Sequence, residues 1–135
     1  MRKGGEVIRV LVVDDHSFVR ASLTEMLDAA EGIEVVGECT DGAEVTGMAT
    51  SVRPDVVLMD EQMPVKCGTA ATRDLLAVRP QSRVLMVTGS MSGRVLREAA
   101  QAGAFGFVLK GGDPRLLIEA VRTVASGATV WPAGS

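Results

Sequence analysis

The 135-residue sequence has no tyrosine, one tryptophan, one histidine and two cysteines, and its acidic residues outnumber its basic ones. Each shortage excludes something. With 14 Lys and Arg against 17 Asp and Glu, a formal charge of −3, the chain lacks the clustered positive excess that neutralises nucleic-acid phosphates. Cys39 and Cys67 form no CxxC or CxxH pair, so neither a zinc site nor a disulfide framework is expected, and both read as reduced thiols of a cytoplasmic protein. No apolar run approaches the roughly 18 residues that span a bilayer. The opening Met1-Arg2-Lys3-Gly4-Gly5-Glu6 has no apolar stretch behind its charges, so neither secretion nor membrane insertion is expected. The first apolar run leads into Asp14-Asp15-His16-Ser17 rather than GxGxxG, and no GxxxxGK[ST] occurs, which disfavours dinucleotide binding and nucleotide hydrolysis. What remains is one compact domain, long enough to bury roughly two-thirds of its unfolded surface without disulfides or structural metal.

Apolar runs alternate with helix-period segments, the pattern of parallel strands joined by crossover helices. Strands are expected at 8–13, 34–38, 55–59, 83–88 and 105–109. A helix at 17–30 follows the first, with Phe18, Leu23, Met26 and Leu27 at helical spacing. The second opens at Asp41-Gly42 and ends before Arg53-Pro54, and the third covers 69–78. The fourth is capped by Ser92 and stopped by Gly103. The last starts at Asp113-Pro114, where the proline's missing N–H does no harm, and runs to Ser126. The sequence thus predicts an α/β domain, one (βα)5 unit over 6–128, with 129–135 as a tail or the start of a linker to a further domain.

In an open parallel sheet, chemistry sits beyond the carboxyl ends of the strands. Those positions hold Asp14 and Asp15, Asp60, Thr88 and Lys110. Three converging carboxylates repel one another unless a cation compensates, and hard oxygen ligands suit Mg²⁺. A lysine and a hydroxyl beside such a metal would accept a phosphoryl group, with Asp60 the natural nucleophile for an aspartyl phosphate.

The segments VLVVDD, VVLMDEQMP with a following Gly68, LMVTG and GAFGFVLK, in this order and spacing, resemble the receiver domain of two-component response regulators. The resemblance covers essentially the whole chain. Asp-Asp-His, the Gly-Ala-x-Gly-Phe run and AVRTVASGATVWP are similar to the NarL/FixJ subgroup, in which a helix-turn-helix DNA-binding domain follows the receiver. The resemblance implies a doubly wound, flavodoxin-like sheet of order 2-1-3-4-5. It implies that Asp60 takes the phosphoryl group from a sensor histidine kinase. Asp15, Asp60 and the Gln62 carbonyl would hold Mg²⁺, with Asp14 reaching it through water. Lys110 would pair with Asp60 and then with a phosphoryl oxygen, while Thr88 and Phe107 would switch a partner surface, expected to serve a homodimer. DNA would be bound only through a domain outside this chain. The domain would act as a switch rather than an enzyme, catalysing only its own phosphorylation and dephosphorylation.

The plainer alternatives are a stand-alone receiver acting as a relay and an aspartate-nucleophile phosphatase. The latter needs a second Asp two residues beyond the nucleophile, where this chain has Gln62. His16 reads as a helix-start residue at the pocket rim, and Met63-Pro64 as a loop-shaping pair. Three positions depart from the family pattern. Glu61 is acidic where an apolar residue is usual, and strand alternation should aim it away from Asp60. Gly89 replaces alanine, leaving the phosphoryl group accessible and its lifetime short. Gly111 replaces a proline, so a cis bond is not expected.

Overall fold

A computed structural model describes residues 6–89 and 92–132. The charged opening 1–5 and the end of the tail, 133–135, lie outside the described residues. Five strands, β1 (Ile8–Val13), β2 (Ile33–Cys39), β3 (Val56–Asp60), β4 (Arg83–Thr88) and β5 (Gly106–Leu109), form one parallel sheet of order β2-β1-β3-β4-β5. This is the expected doubly wound, flavodoxin-like arrangement. The crossovers are α1 (Ser17–Ala29), α2 (Val45–Val52), α3 (Gly68–Val78) and α4 (Gly93–Ala102), and α5 (Pro114–Ala125) follows the last strand.

Strand alternation sends side chains to two apolar layers. Leu11, Val13, Val57, Met59, Val84 and Met86 meet Val45, Ala49, Ala71, Leu75 and Ala99 of α2, α3 and α4. Val10, Val12, Val56, Leu58, Leu85 and Val87 meet Leu27 of α1 and Ala120, Val121 and Val124 of α5. Each fully buried aliphatic side chain contributes about 1.5–3 kcal/mol to folding.

Helix ends follow the sequence closely. Ser92 accepts from the Val95 N–H, Asp113 from the Arg115 N–H with Pro114 behind it, and Gly103 closes α4 in the left-handed region. Three details differ from the sequence reading. Residues 42–44 form a 3-10 turn before α2, because the Asp41 carboxylate caps that turn rather than the helix. Asp60 lies within β3, pairing with Val87, instead of just after the strand. Phe18, in the first turn of α1, is 83% exposed; the helix's fully buried residue is Leu27.

Candidate functional site

The C-terminal ends of β1, β3, β4 and β5 bring four sequence-selected stretches together. Asp14 follows β1 and is 1% exposed; Asp60 ends β3 and is 4% exposed. Between them stands the Lys110 ammonium, with Nζ 3.0 Å from Asp14 Oδ2 and 3.2 Å from Asp60 Oδ2. The lysine is aimed there by its backbone: its N–H donates to the Thr88 carbonyl at 2.6 Å, carrying the β4–β5 ladder past the end of β5. Thr88 itself is buried, one position beyond the Asp60 partner Val87.

The electrostatics follow from that packing. Burial, then the neighbouring Asp14 charge, push the Asp60 carboxyl above its ordinary value, against the pull of Lys110 and a hydrogen bond from the Gln62 backbone. Burial also opposes the charge on Lys110, but hydrogen bonding and attraction to Asp14 and Asp60 outweigh it and hold the ammonium above its usual range. One cation therefore serves two buried carboxylates, and a third stands beside them.

That third is Asp15. Ligand atoms of Asp14, Asp15, His16 and Asp60 all lie within 4.8 Å of one another. Asp15 Oδ1 is buried without a hydrogen bond, although His16 Nδ1 stands 3.2 Å away. An unsatisfied buried carboxylate oxygen beside two further carboxylates fits a hard divalent cation, whose charge and coordination would satisfy it. His16, the N-cap residue of α1, sits at the rim with its side chain mostly exposed: its backbone N–H donates to Asp14 Oδ1 at 2.8 Å and its ring faces both aspartates.

The loop from Glu61 to Cys67 is fixed at both ends. Glu61 N–H donates to the Val87 carbonyl, and the Glu61 carbonyl accepts from Gly68 N–H at 2.9 Å. The Glu61 carboxylate, aimed away from Asp60 as alternation requires, accepts from the Thr69 N–H at 3.1 Å and from its hydroxyl at 3.0 Å. It thereby caps the first turn of α3. Gly68 admits no side chain, because a Cβ would meet the Asp60 carbonyl oxygen and stand 2.7 Å from Met86 Cε. The loop's centre is held by Asp41, which accepts from the N–H groups of Ala43, Val65 and Lys66 at 2.9–3.1 Å. Burial works against the Asp41 charge, but these bonds and Lys66 hold its carboxyl below the usual range.

Sequence reasoning missed two of these residues. Asp41 was legible only as a helix start, since nothing in the pattern ties it to a loop 24 residues away. Arg20, whose guanidinium donates to the Asp14 carbonyl at 2.8 Å and pairs with Glu38, steadies the β1–α1 turn with no motif of its own. Phe107 is 1% exposed, packed in the core with its ring against Trp131. Gly89 is exposed, with open space where a Cβ would stand. There are no cis peptide bonds among the described residues.

The rim of this (βα)5 sheet joins two buried aspartates to one half-buried lysine. Residues 10–122 match the response regulator receiver domain family, and the chain belongs to it. It is 41% identical to the response regulator GacA of Pseudomonas aeruginosa over 121 residues, 90% of this chain and 56% of that protein. It is 40% identical to the protein CcdB of Bacillus subtilis over 86% of this chain and 96% of that protein. Its fold superposes on the signal receiver domain of NarL from Mycobacterium tuberculosis with a TM-score of 0.86 and 32% identity, covering 90% of this chain and 98% of that one. The chain spans about half the length of the GacA proteins it matches. No helix among the described residues is long and apolar enough to cross a membrane.

Proposed function

We propose that Asp60 is the phosphoacceptor of this receiver and that a sensor histidine kinase is its donor. The observation that carries this is a buried Asp60 carboxylate held 3.2 Å from the Lys110 ammonium, with Asp14 and an unsatisfied Asp15 oxygen beside it. Asp15, Asp60 and the Gln62 carbonyl would hold Mg²⁺, with Asp14 acting through water. The ion, when bound, supplies charge neutralisation for the transferring phosphoryl group. An Asp60 oxygen forms the new O–P bond as the P–N bond to the donor histidine breaks, its electron pair staying on the imidazole nitrogen. Lys110 stays in place and exchanges its Asp60 contact for a phosphoryl oxygen. Thr88, at the end of β4, turns its hydroxyl onto another, and Phe107 follows into the space beside it. The domain catalyses only this gain and the later loss of the group, and Gly89 leaves water a way in, so the lifetime is short.

The added charge of about −1.5 to −2 biases the α4–β5–α5 surface toward a second copy of the chain. The apolar groove beside it, walled by the exposed Phe18, Leu109 and Leu116, supports an apolar interface. The fraction of GacA that the chain covers favours a regulator whose DNA-binding part lies in a separate helix-turn-helix domain. The CcdB match, covering nearly that whole protein, favours a second reading, a stand-alone receiver acting as relay or protein-binding switch.

The test is intact-mass spectrometry of the chain with a small-molecule phosphodonor, with and without Mg²⁺, beside Asp60→Asn. One Mg²⁺-dependent phosphoryl group, absent from the mutant and lost rapidly on standing, is expected. A group that survives in Asp60→Asn would refute the assignment.

A further inference from the structure

After α5 the chain returns to the sheet. The Val130 N–H donates to the Phe105 carbonyl at 3.0 Å, and the Val130 carbonyl accepts from the Phe107 N–H at 2.9 Å. Residue 130 thus forms a parallel bridge with Gly106, a sixth position on the outer edge of β5. Gly106 makes room for it: a Cβ there would stand 2.6 Å from the Val130 carbonyl oxygen and 3.2 Å from its Cβ. Alternation carries through the segment, with Val130 packing in the layer of Phe105 and Val108 and Trp131 in the layer of Phe107. The Phe107 and Trp131 rings lie 6.5 Å apart at 33°.

Phe107 therefore belongs to the clip twice, through its N–H in the ladder and its ring against Trp131. It also pairs with Met86, two residues before Thr88 on the same face of β4. A single bridge on a sheet edge has little local stability of its own, so it depends on such packing.

We propose that residues 128–132 form a strand clip whose hold on β5 reports the state of Asp60. When Asp60 carries a phosphoryl group and Phe107 rotates toward Thr88, Trp131 loses its partner ring and the segment leaves the β5 edge. This rests on the phosphoacceptor reading above. The coupling is reciprocal: releasing the segment favours the phosphorylated arrangement by the same factor.

Trp131 is the sole tryptophan, so its emission reports the clip without a label. The chain is treated with a small-molecule phosphodonor and Mg²⁺, and its mass, emission and amide exchange are followed together. A red-shifted emission and about tenfold faster exchange of the Phe107 and Val130 amides are expected on phosphorylation. Val130→Pro, which removes the bond to Phe105, should show the shifted emission with no donor and gain the phosphoryl group faster. Trp131→Leu, which keeps the backbone bonds, should speed Val130 exchange in the unmodified chain. A phosphorylated chain with unchanged emission and exchange overturns the clip and leaves the phosphoacceptor reading standing. A chain whose mass never rises overturns that reading, and the clip with it.

Discussion

Met59 and Asp60 are neighbours on β3, both buried, and they face opposite surroundings. Met59 lies at 0% exposure among Leu11, Val13, Val84 and Met86, and removing it from water stabilises the fold. Asp60 meets Asp14 and a shared lysine, and burial pushes its carboxyl up, so its charge is held against an energetic penalty. The apolar layers supply stability and the rim consumes part of it. A folded domain can carry such a site only because the layer directly beneath is so well packed.

The comparison is broken most severely by cutting into the layer. Leu85 is fully buried against the α1 and α5 side, so Leu85→Ala should cost about 2–5 kcal/mol. The shift of the urea midpoint at constant slope measures it. The folded fraction should still gain the phosphoryl group, because Leu85 points away from the rim.

A smaller effect separates two aspartates of the rim itself. Asp60 has its folded pKa raised, so stability owed to its protonated form is present below the ordinary carboxylate value and is lost as pH rises through the folded one. Asp41 has its folded pKa lowered by three N–H bonds, so its contribution is present above the ordinary carboxylate value and is lost as pH falls through the folded one. In metal-free buffer, Asp60→Asn should therefore gain on the native chain as pH rises through the folded Asp60 value, whereas Asp41→Asn should melt lower than the native chain at neutral pH. Acidification should close the second gap. Mg²⁺ at 100 times its Kd should add about 2.7 kcal/mol to the native chain and distinctly less to Asp60→Asn. Thermal melts across pH, with and without the ion, would show whether the two signs differ.

What the sequence made legible follows the same division. Continuous apolar runs and chemically loaded strand ends are local patterns; they located all five strands to within a residue at each end and took Asp14, Asp15, Asp60, Thr88 and Lys110 to the sheet rim, missing that Asp60 is the last residue of β3 rather than the one after it. The clasp of Asp41 on Val65 and Lys66 and the hold of Arg20 on the Asp14 carbonyl join residues with no periodic relation. Local propensity carries no trace of such pairings. Phe18 shows the converse failure: helical spacing marks the apolar face of α1, but whether the sheet extends far enough to cover its first turn is a three-dimensional fact.

Glu61 gives the finest test, because its two physical readings predict opposite signs. Counted only as charge, a further carboxylate one residue from Asp60 adds repulsion to an already acidic rim, and removing it should stabilise the chain. Counted by its bonds, it accepts from the Thr69 N–H and hydroxyl, satisfying one of the donors that a helix start leaves orphaned and placing negative charge at the positive end of α3. Loss of such a cap costs typically about 1 kcal/mol. Urea unfolding should show Glu61→Ala destabilised by about that much, with Glu61→Gln between it and the native chain, since the amide oxygen still accepts while the charge is gone. A Glu61→Ala chain more stable than the native one would make Glu61 part of the rim's electrostatic burden rather than the post that holds its loop.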